Sequence, residues 1–115
     1  MKLAYSHVMF YVSDFNRALE WYQRVLNFKV TFSAAPHYAA LSNGFMNIAI
    51  HPGKGTSTDQ TAPMPCLTSG DFDETIAALR SHGVRVEEPR QQGESPRFTG
   101  FYDSEGNVWG LEEAR

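Results

Sequence analysis

Four histidines, a single cysteine and two adjacent carboxylates near the C-terminus are the side chains of this 115-residue sequence best suited to ligate a metal or move a proton. His7 stands in an alternating run in which Tyr5, His7, Met9 and Tyr11 take one side and Ser6, Val8, Phe10 and Val12 the other. That period of two predicts a strand with both faces apolar enough to be buried. A histidine in such a run is either a hydrogen-bonded residue at a strand end or a ligand or base, because imidazole changes charge near neutral pH. Cys66 has no His or Asp at a spacing that would activate a thiol, so it reads as a small buried filler. Glu112, followed by Glu113, is either a working carboxylate or the solvated end of a last strand. DSEGN at 103–107 lacks the spacing and length of an EF-hand loop and reads as a turn. His37 and His82 read as surface residues.

The elements that must position these groups follow from periodicity. After the strand at 4–12, Ser13 or Asp14 can cap a helix whose apolar stripe is Phe15, Ala18, Leu19, Tyr22, Val25 and Leu26, with Asn27 ending it in the left-handed region. Strands follow at about 28–33, 37–42 and 45–51, with SNG at 42–44 as the last turn. This is a βαβββ order. Residues 52–63 are rich in Pro, Gly, Ser and Thr without periodicity and read as a linker. The order then repeats. A strand at 64–69 leads to Asp71 and a helix with the stripe Phe72, Ile76 and Leu79, which ends at Gly83 and returns as VRVEE. A polar loop precedes strands at about 98–102 and 107–112.

One domain is expected, made of module 1 (1–51), the linker and module 2 (64–115). Asp14–Phe15 aligns with Asp71–Phe72 at an offset of 57. Aligning Gly44 with Gly106, at an offset of 62, pairs Ile48 with Gly110 and Ile50 with Glu112. A formal net charge of -3 offers no basic excess for phosphate backbones or anionic lipid, which excludes nucleic acid and membrane as expected partners. No apolar run reaches the roughly 20 residues of a membrane span. The lone Cys66 and the polar-interrupted start predict a soluble, cytoplasmic protein.

With these residues in place, the chain resembles the superfamily of glyoxalases, bleomycin-resistance proteins and extradiol dioxygenases, also called vicinal oxygen chelate proteins. HVMFYVSDFNRALEWYQRVLNFKV looks like that family's first strand, Asp-initiated helix and return strand; GDFDETIAALRSHGVRV looks like its repeat; FYDSEGNVWGLEE looks like its closing hairpin. The resemblance covers nearly the whole chain. It implies an α+β fold of two βαβββ modules, with helices on the convex face of a curved mixed sheet and a small-molecule cavity on the concave face. It also implies a homodimer. Strand alternation with His7 in the cavity then places Met9, Tyr11, Ile48, Ile50, Met64, Cys66, Gly110 and Glu112 there too, and sends Trp109 and Leu111 to the core. On the same parity His51 should point away.

Metal-dependent relatives draw ligands from up to four related places, which fall here on His7, Met64, Ile48 and Gly110. Only His7 is a good donor, against the three or so protein ligands an open catalytic site needs. The expectation is therefore a binding module without metal or other cofactor, whose pocket sequesters a small, partly apolar molecule oriented by His7 and Glu112. The alternative is a metal-dependent lyase, isomerase, transferase or dioxygenase that holds a divalent ion through His7 and Glu112, with Cys66 as a further donor. A third is a metal-free enzyme using His7 or Glu112 as general base. Arg90 and Arg97 at the rim read as solvated, with contact to an anionic ligand as the functional alternative.

Overall fold

The computed structural model describes residues 1–54 and 63–114. They fall into two compact units, Met1–Thr56 and Ser57–Arg115. The linker expected at 52–63 lies mostly outside the described residues, and Pro52 is already the last residue of a strand.

The first unit runs β1 (Val8–Val12), α1 (Phe15–Arg24), β2 (Lys29–Ala34), β3 (Tyr38–Ser42) and β4 (Asn47–Pro52). Its sheet has the order β1-β4-β3-β2, with β1 and β4 parallel and the other pairs antiparallel. The helix starts where Asp14 accepts a hydrogen bond from the Arg17 amide at 3.0 Å, satisfying one orphan donor of the first turn. It stops before Asn27, whose φ of 59° is the left-handed conformation that asparagine tolerates. Between those ends Phe15, Ala18, Trp21 and Tyr22 are buried, and Tyr22 stacks on Phe10 of β1 at 5.9 Å between ring centroids. Each large side chain buried in this way contributes about 1.5–3 kcal/mol.

The second unit contains β5 (Cys66–Ser69), α2 (Phe72–Ser81), β6 (Phe98–Tyr102) and β7 (Val108–Glu113), with the sheet order β5-β7-β6. Asp71 precedes α2 as expected, yet its carboxylate accepts from the hydroxyls of Ser69 and Thr75, each at 2.8 Å, and caps no backbone amide. Gly83, at φ 78°, turns the chain after the helix. VRVEE does not form a full strand. It meets the free edge of β6 through one isolated bridge, Val86 with Phe101, and a second, Arg90 with Phe98, follows just beyond it. The core of this unit gathers Phe72, Ile76, Leu79, Val84, Phe101, Trp109 and Leu111, with Trp109 stacked on Phe101 at 6.0 Å. Among the described residues no helix is long and apolar enough to cross a membrane.

Candidate functional site

Each sheet has one face under its helix and one open face, and strand pairing decides which side chains share a face. In β1, Phe10 and Val12 are buried, whereas Met9 and Tyr11 are 42% and 49% exposed within the chain. The parity read from the sequence holds for this strand, although its second face is open within the chain and not buried. For β4 it does not hold. Ile48 pairs with Val8 and Ile50 with Phe10, so both isoleucines lie on the core side and are fully buried. On the opposite side of β4 lie Ala49, beside Met9 and itself fully buried, and His51, beside Tyr11 and exposed.

His51, expected to point away, therefore lies on the open face, where its ring meets Tyr11 edge-on at 5.8 Å. Its Nδ1 is 2.8 Å from the Pro52 carbonyl oxygen, which can only accept, so Nδ1 is the donor. His7 precedes β1, is exposed, and shares a 2.8 Å hydrogen bond between Nδ1 and the Ser6 hydroxyl. Across all four strands one open-face row reads Met9, Ala49, Ala40, Phe32. Two alanines thus lie between larger side chains, Ala49 fully covered and Ala40 partly exposed. A separate cleft of about 350 Å³ lies by β2 and β3, lined by Asn27, Lys29, Thr31, Ser42, Asn43 and Gly44.

The second unit repeats this plan. Cys66 pairs with Gly110 and Thr68 with Glu112, opposite in parity to the buried Trp109 and Leu111. A Cβ added at Gly110 would come within 2.6 Å of Cys66 Sγ and 3.1 Å of Met64 Cε, so these three expected pocket residues do share one face. Glu112 is exposed on that face. Cys66 is exposed too, correcting the reading of a buried filler. Partial burial pushes its thiol pKa up, and the neighbouring Glu112 carboxylate adds to the rise, which favours the protonated, unreactive form.

The misplacement of Ile48 and Ile50 has a local cause. In the first hairpin Asn43 donates its amide to the Met46 carbonyl, and glycine follows Asn43 directly. In the second, Asp103 donates to Asn107 across a turn one residue longer, and glycine comes three residues after the Asp. Gly44 and Gly106 are therefore not equivalent. The strands match at an offset of 61, Asn47 with Val108, which makes Ala49 the counterpart of Gly110 and His51 that of Glu112. A slip of one residue exchanges the two faces of a strand.

Sequence reasoning also missed a cluster on the open face beside β6. Tyr102 donates its hydroxyl to Glu87 at 2.9 Å, Arg85 pairs with the same carboxylate oxygen at 3.0 Å, and the Arg85 guanidinium sits 4.3 Å from the Tyr102 ring centroid. The bond to Glu87 raises the Tyr102 pKa, helped by burial. The signal was the alternation in VRVEE, which puts Arg85 and Glu87 opposite Val84 and Val86. Arg97 is no rim residue. It bridges Asp73 at 3.0 Å and Glu113 at 2.8 Å and lies over the Phe72 ring.

The donor set does not fit a hard divalent ion. At the places where the resemblance expects ligands, Met64 offers a thioether and Gly110 no side chain, and the Cys66 thiol beside them is held protonated. The true counterpart of Gly110 in the first unit, Ala49, offers none either. Among the described residues no group of three or more His, Cys, Asp or Glu side chains comes together as a cage.

The model of the Glyoxalase/Bleomycin resistance protein/Dioxygenase superfamily matches residues 4–111. Among solved structures, the chain is similar to the E126Q mutant of the fosfomycin resistance protein FosX from Listeria monocytogenes, complexed with Mn(II) and 1S,2S-dihydroxypropylphosphonic acid. The TM-score is 0.81 at 20% identity, covering 97% of this chain and 90% of that one. FosX from Mesorhizobium loti gives a TM-score of 0.76 at 20% identity, covering 100% and 95%. Lactoylglutathione lyase from Agrobacterium tumefaciens gives 0.75 at 14% identity, covering 98% and 95%. At these identities the likeness is one of fold. No curated protein sequence matches the chain.

Proposed function

The chain belongs to the glyoxalase/bleomycin resistance protein/dioxygenase superfamily, and from that premise we propose that it binds a small, partly apolar molecule on the open faces of its sheets without a catalytic metal. The observation that carries this reading is the packing of Met64 and Cys66 against Gly110. A carboxylate at position 110 could not project into the open face unless the Cys66 side chain moved. Thioether, thiol and bare backbone make an adaptable apolar wall, which suits ligand contact better than ion coordination. Met9, Tyr11 and His51 supply the corresponding surface in the first unit, with His7 and Glu112 as polar groups that orient the ligand.

Pairing of two copies belongs to the same proposal. Apart from Met9 and Tyr11, the first unit exposes Tyr5, Val30, Phe32 and Phe45, more large apolar side chains than a lone small domain usually leaves to water. The metal-free reading is tested by thermal unfolding of the wild type and His7→Ala with added Mn(II) or Zn²⁺. The expected result is the same small shift in both proteins. Strong stabilisation of the wild type that His7→Ala abolishes would establish the metal-dependent enzyme instead.

A further inference from the structure

We infer that Arg90 is the anion-recognition residue of the second unit's open face, and that the molecule bound there is a flat organic carboxylate. This rests on the small-molecule reading above and narrows it to a ligand class. Arg90 is fixed in place by its backbone: its amide donates to the Phe98 carbonyl and the Phe98 amide donates back, both at 2.9 Å. Its guanidinium lies 5.6 Å from the Phe98 ring centroid, in the range of a cation–π contact that limits its rotamers. The other described arginines of this unit are committed elsewhere, Arg80 to Glu88, Arg85 to Glu87 and Arg97 to Asp73 and Glu113. Arg90 has no carboxylate partner among the described residues, so its fork of donors is left for a ligand.

The surface beside it has the shape for a flat body. Phe98, Gly100 and Tyr102 share the open face of β6, and Gly100 pairs with Gly110 of β7. Two rings thus flank Gly100, where an added Cβ would meet only Trp109 O at 3.5 Å and Val108 Cγ2 at 3.7 Å, while Cys66 and Met64 close the Gly110 side. The α-carbons of Phe98 and Tyr102 are about 13 Å apart at the usual strand rise, enough to seat one planar ring system between them. Charge sets the orientation. The Tyr102 end is neutralised internally by the Arg85–Glu87 pair. Glu112, paired with Phe98 on the side away from Arg90, repels an anion. One guanidinium opposed by one carboxylate suits a singly charged planar carboxylate better than a phosphate dianion.

The test is amide-resolved NMR titration of the full chain with benzoate, benzamide and benzylamine, following Phe98, Gly100 and Gly110. The expected result is benzoate binding about tenfold more tightly than benzamide, the equivalent of about 1.4 kcal/mol. Arg90→Gln should bring benzoate to the benzamide affinity and leave benzamide unchanged, with Arg90→Lys keeping part of the preference. If benzamide or benzylamine binds as well as benzoate, or Arg90→Gln keeps the preference, the Arg90 inference fails while the small-molecule reading stands. Inorganic phosphate competing with benzoate at equal concentration would overturn the choice of a carboxylate. No shift with any of the three probes would sink both readings.

Discussion

Substituting Gly110→Ala tests the face assignment on which the site depends. The new Cβ would lie 2.6 Å from Cys66 Sγ and 3.1 Å from Met64 Cε, so the cysteine must move by about an ångström to reach ordinary contact. Overpacking of this kind costs about 1–3 kcal/mol. The backbone of Gly110 is not in the left-handed region, so replacing glycine returns about 0.4–1 kcal/mol through the unfolded state. The net expectation is a loss of about 1–2 kcal/mol, read from urea unfolding followed by tryptophan fluorescence. In a Cys66→Ala background the closest clash is gone, because Cys66 Cβ lies 3.4 Å from the added atom. There Gly110→Ala should be close to neutral, giving a coupling of about 1 kcal/mol or more between the two positions. An equal cost in both backgrounds, or no cost in the wild type, would refute the shared face.

Three further outcomes follow from the same packing and pairing. Ile48→Ala should cost about 2–5 kcal/mol in chemical denaturation because the side chain is fully buried, while Met9→Ala one strand away should change stability little; equal costs would restore the face first read from the sequence. Arg97 holds the Asp73 and Glu113 carboxyls below the usual carboxylate range, through hydrogen bonds first and charge second. Depressed folded-state values mean that this stabilisation is present above the ordinary carboxylate pKa of about 4 and is lost as pH falls through the depressed values. Arg97→Gln should therefore be less stable than wild type near neutrality, with the gap closing in acid, as measured by unfolding midpoints against pH. Asp103 accepts from the amides of Glu105 and Asn107 and from the Asn107 side chain, at 2.8–2.9 Å. Asp103→Ala removes the acceptor of these three hydrogen bonds, two of them from buried Asn107, and should cost about 1–3 kcal/mol by the same denaturation assay.

Most of the architecture was legible because it follows from local chemistry. Asp14 before an apolar stripe at helical spacing, Asn27 and Gly83 at positive φ, and the alternation around Phe10 each specify an element without long-range information. The repeat, too, could be read from matching Asp–Phe pairs. What failed was the register across the hairpins. Glycine punctuates both turns but occupies different positions in them, and only hydrogen bonding reveals this. That single residue moved Ile48 and Ile50 into the site on paper and kept His51 out. Arg97 and Arg90 look alike in sequence, and their different fates depend on Asp73 being 24 residues away in the chain and 3.0 Å away in space. Cys66 looked like filler because small thiols usually are. Its exposure follows from lying beside a glycine on the open face.

Elemental analysis of the chain purified without chelators and dialysed against metal-free buffer bears most directly on the central claim. The expected result is substoichiometric divalent metal, with the same trace level in His7→Ala. One tightly held metal ion per chain, retained through dialysis and lost in His7→Ala, would contradict it.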